Sequence, residues 1–333
     1  MIKIAVDAMG GDHSVETTVA GSMMAIKEYS NIEIYLYGDK AKITPLLTDS
    51  TRIQIIDTPK YMSMGEHDPV GYLRSNKDCS MAQAMLSLKD KTCDACVSAG
   101  PTQCVIVGAH LFVRKLDGMQ RVALCPIIPS MDGQGRLLLD VGANVELRPE
   151  HLKELAIAAT IVSREILGVR DPKIGLINIG SEEGKGREVD QETYELLKNS
   201  PEIDFAGNVE PNEILTTKVN VLLTDGFSGN LVLKTVEGTA KAMGAMLKEE
   251  IYSSLSAKIA GLILKKKLNH FKKRLDSSEV GGAMILGAKA PVVKAHGSSD
   301  PKAFKNAIGQ ARLMVLNQVV EKVKANLPKK VEE

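Results

Sequence analysis

The 333-residue chain has no tryptophan and only 4% aromatic residues, so its core must rest on Val, Ile, Leu, Met and Ala. It also has no apolar run near the roughly 20 residues that span a bilayer. The longest, around Cys104–Val113, is interrupted by Gly108 and His110. The first residues lack the basic, apolar and small-residue zones of an export signal, and the five cysteines are an odd number. These features point to a reducing cytoplasm. With a net charge of only +1 the whole chain is no polyanion binder, and nucleic acid is not expected as a partner. Several chemistries lack their residues. There is no Gly-x-Gly-x-x-Gly fingerprint for a dinucleotide, and the six histidines show no metal-ligand spacing. No Ser, Cys or Asp sits in a nucleophile elbow. Cys93-Asp-Ala-Cys96 has no second pair to complete a zinc site. Neither a metal nor a cofactor is expected.

What the chain does have is strand and helix in alternation. Strands are expected at Ile2–Val6, Ile32–Tyr37, Ile53–Ile56, Ala95–Ser98, Ala123–Pro126, Leu137–Asp140, Lys173–Asn178, Asp204–Gly207, Val219–Thr224 and Val292–Lys294. Helices are expected at Ser14–Tyr29, Ser80–Lys89, Thr102–Leu111, Pro149–Leu167, Asp190–Lys198, Gly229–Leu255 and Pro301–Ala325. Such alternation implies a mostly parallel sheet covered on both faces, a three-layer α/β/α fold. Ligands on such sheets bind beyond the carboxyl ends of the strands. The length fits two lobes within one catalytic domain, and the turn at residues 168–172 is the best candidate for their boundary. Lys329–Glu333 reads as frayed.

The first such turn is Asp7-Ala-Met-Gly-Gly-Asp-His13. Paired glycines bring backbone N–H groups close to a ligand, and the next helix points its positive end at the same spot. Gly10, Gly11 and Asp12 are therefore candidates for anion binding, and His13 for either catalysis or turn stabilisation. Four later segments repeat this grammar: Leu139–Glu146 with Asp140 and Asn144, Asn178–Glu188 with Lys185 among glycines, Thr224–Asn230, and Lys294–Pro301 with His296, Ser298 and Ser299. Singly, each reads equally as a connection, and Ser298, Ser299, Asp300, Asp225 and Asn230 as helix caps. Together they favour an anion site. Gly180–Gly186 falls one residue short of a nucleotide-binding P-loop and has no Ser/Thr after Lys185, so a nucleoside triphosphate is not supported.

Between Lys258 and Arg274 lie seven Lys/Arg and no acid. Leu264, Leu268, Phe271 and Leu275 recur at helical spacing. Residues 229–275 thus read as a long helix and a basic amphipathic hairpin, with a bend at Gly261 and an apolar tip at Leu262, Ile263 and Leu264. This hairpin either packs in a dimer or touches anionic lipid or an acidic partner, with Lys265, Lys266, Lys267, Lys272 and Lys273 at the contact.

The segments IAVDAMGGDH, LLLDVGANVE, EEGKGRE, FAGNVEP, LTDGFSGNLVLKTVEG and VVKAHGSSDPKAFKNAI resemble, in order, the bacterial PlsX-type phosphate acyltransferases. The resemblance implies a fold similar to phosphate acetyltransferase and the isocitrate/isopropylmalate dehydrogenases. It implies conversion of acyl-(acyl-carrier protein) and inorganic phosphate into acyl-phosphate for phospholipid synthesis. A homodimer loosely attached to the membrane is implied as well, beside a membrane-bound glycerol-3-phosphate acyltransferase. On this reading phosphate is itself the nucleophile. Lys185 with Gly184 and Gly186 holds phosphate or the oxyanion, Asn230 donates to the carbonyl oxygen, and His13 protonates the leaving thiolate. Gly10, Gly11, Asp12, Asn144, Asp225, Gly226, His296, Ser298 and Ser299 line the substrate site. Two other readings stay open: a catalytically weak scaffold that binds carrier protein or membrane, and a short-chain enzyme using acyl-CoA.

Overall fold

The computed structural model describes the backbone of residues 1–275 and 281–328. Its strands are β1 (Ile2–Asp7), β2 (Ile32–Gly38), β3 (Ile53–Asp57), β4 (Ala95–Ser98), β5 (Ala123–Cys125), β6 (Ile127–Ile128), β7 (Arg136–Leu139), β8 (Lys173–Ile177), β9 (Asp204–Val209), β10 (Val221–Leu223), β11 (Ala283–Leu286) and β12 (Val292–Lys294). They form two sheets, in the orders β3-β2-β1-β4-β12-β11-β5 and β6-β7-β10-β8-β9. Neighbours are parallel except for the two pairs made by β11 and the β6–β7 pair. The central strands are short runs of Val, Leu, Ala and Cys buried on both faces, which is the pattern of a covered parallel sheet.

The helices are α1 (Ser14–Glu28), α2 (Lys40–Ile43), α3 (Pro69–Ser75), α4 (Ser80–Lys89), α5 (Thr102–Gly108), α6 (Pro149–Leu167), α7 (Glu188–Lys198), α8 (Gly226–Tyr252), α9 (Leu255–Leu275), α10 (Pro301–Leu316) and α11 (Val319–Asn326). One apolar layer joins Ile4 and Val97 of the first sheet to Leu139 and Leu223 of the second, beneath α1, α6 and α10. The other joins Ala5 and Cys96 to Leu138 and Leu222, beneath α4 and α5. The fold is three-layer α/β/α with both sheets sharing both layers.

The chain crosses between sheets at Pro126 and again after β10. Residues 168–172 instead link α6 to β8, which pairs with β10 inside the second sheet. The boundary therefore follows the sheets rather than that turn. Helix α8 starts at Gly226, three residues before the expected start, because Asp225 caps it by accepting from the Ser228 N–H at 2.7 Å. Helix α9 runs through Gly261 without a break, and there the missing side chain lets it close on Ile251. The hairpin thus turns at Ser253–Ser254, and Leu262, Ile263 and Leu264 lie within α9. Residues 241–250 and 262–267 are exposed throughout, so α8 and α9 form an arm standing off the body. The side chains of Lys272 and Lys273, and Lys329–Glu333, lie outside the described residues. Among the described residues no helix is long and apolar enough to cross a membrane.

Candidate active site

Two groups of loops gather at the carboxyl ends of the parallel strands. In the first sheet, β1, β4 and β12 are neighbours, and the turns after them interlock. The Asp12 N–H donates to the Gly297 carbonyl at 2.8 Å. Gly10 is needed for close approach, since a Cβ there would lie 2.6 Å from the Gly100 nitrogen and 2.9 Å from Asp7 Oδ2. Gly11 supplies the positive φ, +105°. Beneath them the fully buried Asp7 accepts from the Ser80 and Ser98 hydroxyls, each at 2.7 Å. Burial pushes its carboxyl up, against those two donors.

In the Lys294–Pro301 turn, His296 Nδ1 pairs with the Ser298 hydroxyl at 2.9 Å, and the His296 carbonyl accepts from the Ser299 N–H at 3.0 Å. Desolvation and then the Lys294 ammonium pull the His296 imidazole below its usual range. Asp300 caps α10 through the Ala303 N–H at 2.7 Å. His13 precedes α1, is exposed, and makes no side-chain cap to it.

The second sheet supplies the other loops, and here the polar groups are spent on each other. Buried Asp140 accepts from the N–H groups of Leu124, Ala143 and Asn144 and from the Asn144 amide, at 2.7–3.1 Å. Burial nonetheless pushes its carboxyl up. The Asn144 amide also donates to the Val122 carbonyl at 2.7 Å, so its nitrogen is turned inward. Gly226 packs against this loop, its N–H 2.9 Å from the Asn144 carbonyl, where any Cβ would collide with that same oxygen. Asn230 lies in the second turn of α8, over Gly142.

Lys185 sits on a loop held from four sides. Asn178 donates to the Lys185 carbonyl at 3.0 Å, Asn208 to the Glu182 carbonyl at 2.8 Å, and Gln191 to the Gly184 carbonyl at 2.9 Å. At its end the Arg187 guanidinium bridges Asp190 at 2.9 Å and Asp225 at 2.7 Å. Burial works against the Asp225 charge, but the Ser228 N–H and Arg187 hold its carboxyl below the usual range. Gly186 has φ +91°. The Lys185 side chain is 47% exposed, with its ammonium 3.7 Å from Glu182.

The two groups of loops meet where Gln103, opening α5, donates to the Gly142 carbonyl at 3.3 Å. Gly10, Gly11, Asp12, His13, His296, Ser298 and Ser299 thus belong to one bank, and Asn144, Gly184, Lys185, Gly186, Asp225, Gly226 and Asn230 to the other. Two residues escaped the sequence reading. Gln103 carried no signal beyond its place after a strand and a glycine. Lys294 ends β12 with 7% exposure; Lys at the end of an apolar run ordinarily reads as solvent-facing. Burial pulls its ammonium down to about 8, with Asp12 opposing and Lys234 assisting.

The chain matches the model of a family described as fatty acid synthesis protein over residues 2–322. It is 48% identical over 326 residues to a phosphate acyltransferase of Acholeplasma laidlawii, covering 97% of this chain and 98% of that protein. Among solved structures it is similar to a phosphotransacetylase from Streptococcus pyogenes, with a TM-score of 0.61 at 17% identity, covering 96% of this chain and 94% of the other. It is also similar to a 4-hydroxythreonine-4-phosphate dehydrogenase from Klebsiella pneumoniae, with a TM-score of 0.53 at 10% identity over 95% and 99%. These two likenesses concern the fold alone.

Proposed function

The chain belongs to the fatty acid synthesis protein family and is an enzyme that transfers an acyl group to phosphate, and from this premise we propose that its donor is a fatty acyl thioester of acyl-carrier protein. The observation that carries the reading is the meeting of the two banks of loops at Gln103 and Gly142. It leaves Lys185 and Asn230 on one side and the His296–Ser299 turn on the other. A phosphate held between them attacks the thioester carbonyl carbon. The C–O bond forms and the C–S bond breaks. The thiolate leaves with the bonding electrons and takes up the proton that hydrogen phosphate gives up, so the products are acyl-phosphate and the carrier's thiol.

Little covalent chemistry is asked of the protein; it positions and polarises. Lys185 and the amides of Gly184 and Gly186 stabilise the developing oxyanion, and Asn230 donates to the same oxygen. His296, Ser298, Ser299, Gly10, Gly11 and Asp12 cradle the phosphate, and His13 returns the proton to the thiolate. Asn144, Asp225 and Gly226 hold the opposite loops in register. Val145, Ile179, Phe227 and Leu231 are exposed around the second bank, at 54–81%, and suit an acyl chain better than a short polar group.

The arm suits two contacts. Met243, Met246 and Leu247 on α8 are exposed and fit a second copy of the chain. Leu262 and Ile263, 76% and 77% exposed, adjoin Lys265, Lys266 and Lys267 and fit the anionic face of a membrane. The enzyme then works in the cytoplasm at the membrane surface. There the acyl-phosphate reaches a membrane-bound glycerol-3-phosphate acyltransferase that starts phosphatidic acid synthesis.

The test is to incubate the protein with palmitoyl-carrier protein and inorganic phosphate and to trap acyl-phosphate with hydroxylamine. Product that needs both substrates and falls away in Lys185→Ala supports the reading. Preference for acetyl-CoA would replace the donor. No product with carrier binding intact would replace the enzyme by a scaffold.

A further inference from the structure

We propose that Lys294 is a phosphate ligand of this site: its buried ammonium, bonded within the described residues to a single carbonyl, completes its coordination on the substrate anion. The assignment rests on the acyl-to-phosphate reading above.

Three observations meet at this residue. The first is position. Lys294 closes β12, its Cα paired with Ser98 on one side and Ala283 on the other. Its strand therefore ends beside the Ala99–Gln103 turn and runs into its own Ala295–Ser299 turn, where the Gly10–Asp12 turn bonds to Gly297. The second is satisfaction. An ammonium has three donors, yet among the described residues this one donates to the Ala295 carbonyl alone and forms no ion pair. A buried charge in that state is costly unless a partner arrives.

The third observation is the surrounding charge. Asp12 reaches it from the β1–α1 turn, Lys234 from α8, and its neighbour His296 feels Lys234, Glu237 and Lys241 of the same helix. Lys294, Lys234 and Lys241 against Asp12 and Glu237 leave these surroundings with an excess of positive charge. A phosphate dianion would fill the two spare donors and neutralise the buried charge at once. Lys185, by contrast, is half-exposed and already faces Glu182. The division that follows places phosphate on the first-sheet bank and the carbonyl oxygen on the second.

Binding to the ammonium form has a consequence for pH. Burial brings Lys294 to about 8, so phosphate must bind more weakly as pH rises through that value, and bound phosphate must raise it. The test compares wild type with Lys294→Met, which keeps the length and apolar stem of the side chain. Titration of inorganic phosphate by calorimetry should show affinity falling roughly 10- to 100-fold, as for loss of hydrogen bonds to a charged group. The KM for phosphate should rise by the same factor, with the KM for palmitoyl-carrier protein unchanged.

In wild type carrying ¹³Cε-lysine, the Lys294 titration should move upward when phosphate is added, a readout that needs no variant. Unchanged phosphate affinity in a folded Lys294→Met protein, or a Lys294 titration indifferent to phosphate, overturns the assignment. So does a rise confined to the carrier-protein KM. If wild type makes no acyl-phosphate but loses phosphate binding on Lys294→Met, the acyl-transfer reading fails and this assignment stands. If it makes acyl-phosphate and Lys294→Met is kinetically silent, the reverse holds.

Discussion

The two banks of loops are built from the same grammar of strand, glycine turn and helix, yet they handle charge in opposite ways. The second-sheet bank pairs its charges and amides with one another. Arg187 is tied to Asp190 and Asp225, Asp140 to four N–H groups, and Asn178, Asn208 and Gln191 to carbonyls of the Lys185 loop. Lys185 is left half-exposed at its surface. The first-sheet bank buries a lysine with one carbonyl for company. A frame whose polar groups are satisfied holds its shape without a ligand, whereas a buried, under-satisfied cation is stabilised when one arrives. Similar turns thus serve as scaffold on one side and as ligand floor on the other.

The sharpest way to separate the two is at Lys185. Its side chain supports little else, so Lys185→Ala should lower kcat for acyl-phosphate formation by roughly 10²- to 10³-fold, the loss typical of an oxyanion donor. The melting temperature should stay put. Lys294→Met should do the opposite to stability. Lys294 sits near 8 in the fold against 10.5 unfolded, so between those values the unfolded chain binds the extra proton and wild-type stability rises with pH. Below pH 8 the buried charge costs about 3 kcal/mol. Denaturant unfolding of Lys294→Met should show that gain at neutral pH, shrinking to nothing above pH 10.5.

Gly226→Ala tests the frame directly. The added methyl runs into the Asn144 carbonyl, and such overpacking should cost about 2 kcal/mol in chemical denaturation. Smaller still is Asp225→Asn, which keeps a cap for α8 but removes the charge facing Arg187. Because Arg187 is 59% exposed, the loss should be about 0.5–1 kcal/mol at neutral pH. The Asp225 carboxyl lies below its ordinary value in the fold. The stability it adds is therefore present above the unfolded carboxylate's pKa and lost as pH falls through the folded one. Wild type and variant should converge in acid.

The frame was more legible in the sequence than the floor. Strands such as Ala95–Ser98 and Val292–Lys294, and helices Ser80–Lys89 and Pro149–Leu167, stand where their apolar runs and caps placed them. So do the five glycine turns. What escaped lacked a local signal. β11 is four residues set by pairing with β5 and β12. β6 has two residues and exists only because β7 lies beside it. The helix expected at Pro301–Ala325 breaks at Gln318, which takes φ +53° with no proline or glycine to announce it. The helix expected at Thr102–Leu111 widens into a π-turn at Ala109–Val113. Helix α3 did carry a signal, Asp68 as cap and Pro69 in the first turn. Lys294 is the instructive case: its type and place were plain, but it is buried where its strand pairs with β4 and its turn bonds to the Gly10–Asp12 turn, both distant in sequence.

The measurement that bears most directly on the account is the initial-velocity pattern with palmitoyl-carrier protein and inorganic phosphate varied together. If both substrates meet between the two banks and phosphate attacks the thioester directly, double-reciprocal lines intersect and no acylated protein can be trapped without phosphate. Parallel lines with an acyl group left on the protein would contradict it.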